Sequence, residues 1–139
     1  MAAAERTAEA RAAFRARVGD WALTLGVAVR GVYLRKMRTK WASCSTNGIL
    51  TFNRDLLALD QQLWDYVIVH ELTHALGRYH TQQRSDRNNY IQVNYGCIDS
   101  GCYGNYDVAS NFNYLSYDFL SVMHYGPYDC STGCQTMTC

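Results

Sequence analysis

The segment from His70 to His80 constrains the fold more than any other part of the chain. It reads HELTHALGRYH and contains three of the four histidines among the 139 residues. His70 and His74 are four residues apart, so on a helix their rings leave the same face about one turn from each other. Two imidazoles in that arrangement can hold one Zn²⁺. The spacing therefore predicts a helix that carries a metal site.

Gly77 and Glu71 complete the predicted site. Gly77 tolerates a positive φ, so it can end the helix and turn the chain back, which places His80 as a third ligand. Glu71 stands beside the first ligand and can act as general base toward a metal-activated water. The whole spacing, H-E-x-x-H-x-x-G-x-x-H, is that of the extended zinc-peptidase signature. The alternative is an accidental cluster on a core helix, and the added glycine and third histidine argue against it.

Length and charge set broad limits. A chain of 139 residues with net charge +1 fits one domain, 1–139, in which 1–80 form a helix, sheet and zinc-helix subdomain and 81–139 a second subdomain. A charge near zero gives no global argument for a nucleic acid or a membrane as partner. The sequence contains no run of about 18 apolar residues, which is the length that a membrane-spanning helix needs. The oligomeric state does not follow from the sequence.

Apolar periodicity predicts a first helix over residues 3–25. Gly26 directly after it is a natural stop. The apolar positions recur at three- and four-residue spacing, which is typical of a stripe that faces a core rather than of a binding face. These positions are Phe14, Val18, Trp21 and Leu25.

Residues 27–53 predict a small antiparallel sheet. Residues 27–36 read as one strand with a bulge at Gly31, residues 39–47 as a turn, and Ile49–Asn53 as the second strand of a hairpin. Asp60 then fits the N-cap of a helix over 61–76. Nearly the whole circumference of that helix is apolar or metal-binding, so we expect it to be central and buried.

After His80 the chain becomes rich in tyrosine, cysteine and polar residues, with little periodicity. Such a segment is typical of irregular structure that needs cross-links or a metal. Cysteine density favours disulfides and a secreted, oxidising setting, whereas the start of the chain lacks the apolar core of a secretory signal, so localisation stays undecided. Cys97 and Cys102 are close enough to bridge locally, but pairing cannot be deduced from spacing. The late cysteines are Cys97, Cys102, Cys130, Cys134 and Cys139, and Cys44 stands apart as a small residue of the sheet.

Residues from about 25 to 80 resemble the YgjP-like family of small zinc metallopeptidases, which is related to the SprT-like proteins. The resemblance is carried by MRTKWASCS (37–45), GILTFN (48–53) and DYVIVHEL (65–72). Two departures are Ala42, where the family usually has Gly, and Leu59-Asp60, near which it usually has Pro. The resemblance implies a helix, a short antiparallel sheet and then the zinc helix.

Residues from about 70 to 130 resemble the astacin family of the metzincins instead. HTQQRSDRNNY (80–90) and YDFLSVMHY (117–125) carry this resemblance. It implies that Met123 lies in a tight turn, the Met-turn, beneath the metal and that Tyr125 is an additional, displaceable ligand. Astacins usually have Glu where this chain has Thr81, which argues against an N-terminal activation lock. In an extended segment His124 would face away from Tyr125, so we leave it out of the predicted site.

The end of the sequence lies soon after Tyr125, so the resemblance implies a truncated astacin-like C-terminal subdomain over 81–139. Combined, the two resemblances imply an α+β fold. It has an N-terminal helix, a small antiparallel sheet, a central zinc-binding helix and an irregular Cys/Tyr-rich segment with a Met-turn.

The expected function is that of a zinc metalloendopeptidase acting on a peptide or protein substrate. One Zn²⁺ held by His70, His74, His80 and Tyr125 would activate water. Glu71 would act as general base, and Tyr125 would donate to the oxyanion. Two alternatives stay open: a non-catalytic zinc-binding domain, and an intracellular SprT-like protease associated with nucleic acid. The second depends on a basic stretch that solvated strand residues explain equally well: Arg30, Arg35, Lys36, Arg38 and Lys40.

Overall fold

The computed structural model of the chain describes residues 2–110, 113 and 115–139, with side chains from residue 7 onward. It contains two compact units, Met1–Arg78 and Tyr79–Cys139. The assignment of 1–139 to a single domain stays a prediction. Among the described residues, no helix has the length and apolar character needed to cross a membrane.

The first helix, α1, spans Ala2–Leu25. Its predicted stripe faces the core: Phe14 and Val18 are buried, and Trp21 and Leu25 pack partly buried against the same cluster. Phe14 meets the rings of two other core residues edge-on, with centroids 5.0 and 5.2 Å away. Gly26 follows at φ 67°, a conformation that ends a helix cheaply only with glycine. The sequence prediction for this helix is confirmed.

The sheet of the first unit is mixed, so the antiparallel expectation needs correction. Its strands are β1 (Gly31–Arg35), β2 (Ala42–Cys44) and β3 (Ile49–Asn53), in the order β1-β3-β2. β3 does end a hairpin, but the other strand of that hairpin is β2, which lies inside the predicted turn. β1 lies on the other side of β3 and pairs with it in parallel.

Turn chemistry explains why β2 and β3 form the hairpin. The N–H of Gly48 donates to the carbonyl of Ser45 at 3.1 Å, and Gly48 has φ 74°. The Ser45 N–H donates in turn to the Ile49 carbonyl at 2.9 Å. Gly31 is the first residue of β1 rather than a bulge, and the strand begins four residues later than predicted for 27–36.

A short 3-10 turn, Arg54–Ala58, leads into the second helix, α2 (Gln61–Ala75). The Asp60 carboxylate accepts from the Leu63 N–H at 2.9 Å, so the predicted N-cap is confirmed. Trp64, Ile68 and Leu72 are buried on one face. Leu63 and Tyr66 are exposed, so α2 is buried on one face and not around its whole circumference as expected.

Charged side chains join the two helices of the first unit. Arg17 of α1 donates from Nε and Nη2 to the two carboxylate oxygens of Asp65 of α2, at 2.6 and 2.7 Å. The indole N–H of Trp21 donates to the same carboxylate at 2.7 Å. This fork-to-carboxylate geometry is the stronger form of ion pair, and it fixes the register of α1 on α2.

The second unit is built from short 3-10 turns and a two-stranded sheet, β4 (Gln92–Val93) with β5 (Met137–Thr138). Two disulfides hold it, Cys97–Cys134 and Cys102–Cys130, so the expectation of cross-links is confirmed. Cys97 and Cys102 do not bridge each other locally. Cys44 and Cys139 are free. The buried cluster of this unit is small: Ile91, Ile98, Tyr106, Tyr117 and Met137.

Candidate metal centre

The last two turns of α2 bring two imidazoles together. Nε2 of His70 and Nε2 of His74 are 3.2 Å apart. Nδ1 of His74 lies 2.9 Å from the carbonyl oxygen of Arg78. A carbonyl only accepts, so Nδ1 carries the proton and leaves the lone pair of Nε2 directed at His70. Such a backbone contact on the far nitrogen is what orients a metal-binding histidine.

Helix α2 ends in a Schellman arrangement. The Gly77 N–H donates to the His74 carbonyl at 2.9 Å, and the Arg78 N–H to the Thr73 carbonyl at 3.3 Å. Gly77 has φ 77°, which is the left-handed conformation that this motif requires. The predicted role of Gly77 as the end of the helix is therefore confirmed, and the chain turns toward His80 three residues later.

Three imidazoles converge at this point. One ring nitrogen from each of His70, His74 and His80 lies within 4.8 Å of the others, a spacing at which one ion can touch all three. Burial lowers the pKa of His74, which favours the neutral form that a cation needs. Three neutral nitrogen donors suit Zn²⁺ and leave a fourth position open. The residues present therefore fit the metal that the sequence predicts.

Glu71 is the buried carboxyl group of α2. It is 7% exposed, and burial raises its pKa to about 7, while the charge of Lys40 acts in the opposite direction. Burial also raises the pKa of Cys44, to which the charge of Glu71 contributes. Lys40 precedes β2 and Cys44 ends it, so these charge effects indicate that Glu71 faces the β2 side of its unit. A carboxyl with a pKa near neutrality is suited to accept and return a proton.

In the second unit, the residues after His80 are hydrogen-bonded to the predicted Met-turn. The Thr81 N–H donates to the Met123 carbonyl at 2.9 Å. Met123 is 4% exposed. The turn itself is closed by the His124 N–H on the Ser121 carbonyl at 2.9 Å and by the Met123 N–H on the Ser121 hydroxyl at 3.2 Å. Residues 121–125 therefore form a tight turn and not an extended segment.

Tyr125 lies beside the third histidine, with the two ring centroids 4.6 Å apart. Its N–H donates to Oε1 of Gln82 at 3.2 Å, and its carbonyl accepts from Nδ1 of His124 at 2.6 Å. No local sequence pattern points to Gln82, and the expectation of an extended segment placed His124 outside the site. The resemblance to astacins, which implies a tight turn at Met123, was the signal that argued against an extended segment.

Three of the five cations in the basic stretch before β2 interact with nearby side chains. The Arg35 guanidinium lies over the ring of Tyr33, 5.1 Å from its centroid. Lys36 pairs with Asp55, and the charge of Lys40 acts on Glu71. These cations therefore have local partners, and association with nucleic acid stays a prediction.

Comparison with known proteins gives two groups of relatives. Residues 3–84 match the family described as "YgjP-like, metallopeptidase domain", a longer range than the predicted 25–80. "Zinc metalloproteinase nas-31" of Caenorhabditis elegans is 51% identical over 61 residues, which are 41% of this chain and 10% of that protein. "Astacin-like metalloendopeptidase" of Coturnix japonica is 43% identical over 68 residues, which are 48% of this chain and 17% of that protein.

The solved structure of a zinc-protease is also similar to this chain. High choriolytic enzyme 1, a hatching enzyme zinc-protease from Oryzias latipes, superposes with a TM-score of 0.60 at 26% identity, over 77% of this chain and 54% of that one. The chain thus spans about half of the hatching enzyme and less than a fifth of the two curated relatives. The resemblance to astacins is confirmed for the part compared. Because the family match covers more than half of the sequence, the chain belongs to the YgjP-like metallopeptidase family.

Proposed function

We propose that this chain is a zinc-dependent metalloendopeptidase that cleaves peptide bonds in protein substrates. The observation that carries the proposal is the convergence of ring nitrogens from His70, His74 and His80 within 4.8 Å at the end of α2. Relatives named as zinc metalloproteinases and a zinc-protease of known structure support it. His70, His74 and His80 would hold the ion, and Tyr125 would be a further, displaceable ligand.

Glu71 would act as the general base. When bound, Zn²⁺ polarises the substrate carbonyl and lowers the pKa of water toward ~7. Glu71 would take a proton from the attacking water and return it to the leaving amine. Its near-complete burial supports this role, because a carboxylate shielded from solvent is a stronger base toward a nearby proton donor.

Tyr125 would stabilise the charge that develops on the substrate oxygen. Its ring lies against the ring of His80, so its phenol group is close to the third proposed ligand. Burial raises the pKa of Tyr125, which keeps the hydroxyl protonated and able to donate in the absence of a cation. One such donor is typically worth about 2.7–4 kcal/mol of transition-state stabilisation.

The substrate would bind as an added strand on the free edge of β2. Among the strands that the structure describes, the order β1-β3-β2 leaves β2 paired on one side only. β2 also lies against α2, the helix that carries Glu71. An extended peptide can complete such an edge through main-chain hydrogen bonds, which position a peptide bond with little dependence on sequence.

Zinc content and proteolysis measured together test this proposal. The purified chain is expected to contain one zinc per molecule and to degrade casein, and a chelator should abolish the degradation. Glu71→Gln should retain the zinc and lose the cleavage. Glu9→Gln, the same change on the exposed face of α1, is the matched control and should retain both.

Two results would contradict the proposal in different ways. Cleavage that survives in Glu71→Gln would remove the general base from the mechanism. One bound zinc with no cleavage of any unfolded protein would leave a metal-binding domain in which the ion serves folding.

A further inference from the structure

We propose that Gln82 and His124 are positioning residues, which hold the backbone of Tyr125 from both sides and thereby fix its phenol beside His80. Resting on the role proposed above for Tyr125, this inference adds two residues that act through it. All four side chains lie in the second unit. Neither Gln82 nor His124 needs to touch the substrate or the ion for this role.

Gln82 holds the N–H side. Its side chain is fully buried, at 0% exposure. Oε1 accepts from the Tyr125 N–H at 3.2 Å, while Nε2 donates to the Asn105 carbonyl at 3.2 Å. Only a primary amide offers an acceptor at one end and a donor at the other in this geometry. A buried glutamine with both ends satisfied is rigid, because rotation would leave buried polar groups unpaired.

His124 holds the carbonyl side. Its Nδ1 lies 2.6 Å from the Tyr125 carbonyl oxygen, and its Nε2 lies 2.9 Å from the Tyr117 hydroxyl. The carbonyl can only accept, so Nδ1 carries the proton and Nε2 accepts from the tyrosine. Tyr117 is itself buried and stacks on the ring of Tyr90 with centroids 4.6 Å apart. The imidazole is therefore anchored to the core of the unit.

The consequence is a fixed backbone below a movable side chain. A tyrosine that leaves a metal and returns to it must rotate about its own side-chain torsions while its Cα stays in place. The backbone N–H and C=O of Tyr125 are both hydrogen-bonded. Two neighbouring rings limit the rotation of its side chain: His80, with centroids 4.6 Å apart, and Tyr106, with centroids 5.8 Å apart. Loss of either hold would let the phenol drift away from His80.

A spectroscopic probe can detect the phenol directly. The zinc is replaced by Cu²⁺, and the visible charge-transfer band from phenolate to Cu²⁺ is recorded. The wild type should show this band, and Tyr125→Phe should lose it. Gln82→Met keeps the length of the side chain and removes both hydrogen bonds. In this variant the charge-transfer band should lose most of its intensity while the copper content stays the same. Gln135→Met, the same change at an exposed position of the second unit, should leave it unchanged.

A second pair of variants guards against misfolding of Gln82→Met. His124→Asn retains a donor near the position of Nδ1, so it should keep the band. His124→Leu has no donor and should weaken it. Near-ultraviolet circular dichroism confirms that each variant is folded.

The outcomes distinguish the proposed role of Tyr125 from the positioning role of Gln82 and His124. A band that is absent from the wild type, or that persists in Tyr125→Phe, would refute the proposed role of Tyr125. A band that disappears in Tyr125→Phe but keeps its full intensity in Gln82→Met would overturn the positioning role alone. If Gln82→Met does not fold, equal bands in His124→Leu and His124→Asn would overturn the positioning role in the same way.

Discussion

The backbone N–H of Thr81 donates to the carbonyl oxygen of Met123 at 2.9 Å. Thr81 directly follows His80, and Met123 lies in the turn that precedes Tyr125. This hydrogen bond therefore links the segment that carries the third histidine to the turn that carries the tyrosine. It also gives Met123 a structural role through its backbone, in addition to the burial of its side chain.

Met123→Ala should destabilise the second unit and weaken zinc binding. Deleting a buried methionine side chain typically costs about 2–5 kcal/mol, because the cavity collapses only in part. A collapsed turn would shift the Met123 carbonyl, which accepts from the Thr81 N–H. Because His80 directly precedes Thr81, its position would shift as well. Met123→Leu keeps the volume and should cost less than about 1.5 kcal/mol. Chelator competition measures zinc affinity, and equal affinity in both variants would contradict this prediction.

Gly77→Ala and Gly19→Ala should have opposite effects. A methyl group at either position meets no atom within 4 Å, so packing does not distinguish them. Gly77 has φ 77°, where a side chain costs about 1–2 kcal/mol. Gly19 lies inside α1, where alanine should add about 0.5–1 kcal/mol of stability.

Tryptophan fluorescence during urea unfolding measures both changes, because Trp21, Trp41 and Trp64 all lie in the first unit. The same sign for both substitutions would refute the left-handed requirement at Gly77. Gly77→Ala should also weaken zinc binding, since the turn toward His80 begins at this residue.

Local signals were sufficient to predict the helices and the cluster of three histidines. Asp60, Gly26 and Gly77 each act on the backbone within three residues, so their effect can be read without knowing the fold. The spacing of His70 and His74 is likewise a property of one helix. These predictions needed only short-range geometry.

Long-range pairings could not be predicted in the same way. β1 pairs in parallel with β3 because β2 intervenes, and a strand of three residues carries too weak a pattern to be recognised. Six cysteines allow many pairings, so the partner of Cys97 could not be chosen from spacing. The hydrogen bond from the Tyr125 N–H to the Gln82 side chain joins residues that are 43 apart in the sequence, and no local pattern indicates it.

The ion pair between Arg17 and Asp65 should make the first unit sensitive to acid. The Arg17 hydrogen bond is the main reason that the pKa of Asp65 lies below its usual 3.8. A depressed carboxyl pKa gives stability that is present above the unfolded-state pKa and is lost as the pH falls through the folded-state pKa. Both side chains are partly exposed, so solvent screens the pair and its contribution at neutral pH is small.

Asp65→Asn tests this relationship. The variant should be less stable than wild type at about pH 7, and the difference should shrink as the pH falls below about 4. Tryptophan fluorescence in urea gives the free energy of unfolding at each pH. Glu9→Gln, which changes an exposed carboxylate of α1 in the same unit, serves as control and should change that free energy by less than about 0.5 kcal/mol. A constant difference across the pH range would show that the ion pair does not contribute through ionisation.

The disulfides should stabilise the second unit far more than the first. Cys97–Cys134 and Cys102–Cys130 close loops with sequence separations of 37 and 28 residues, and both lie within residues 79–139. Removing a native disulfide from a small domain typically costs about 2–5 kcal/mol. The buried apolar cluster there is small, so the unit has little else to offset such a loss.

The paired substitution Cys97→Ser with Cys134→Ser should therefore raise amide hydrogen exchange throughout residues 79–139 and leave the helices of the first unit protected. The double change avoids a reactive free thiol. Cys44→Ser with Cys139→Ser removes the two cysteines that are free and is the matched control. Mass spectrometry of peptic fragments measures the exchange. Exchange that rises equally in α1 and α2 would show that the two units unfold together, and unchanged exchange in 79–139 would show that packing alone maintains the second unit.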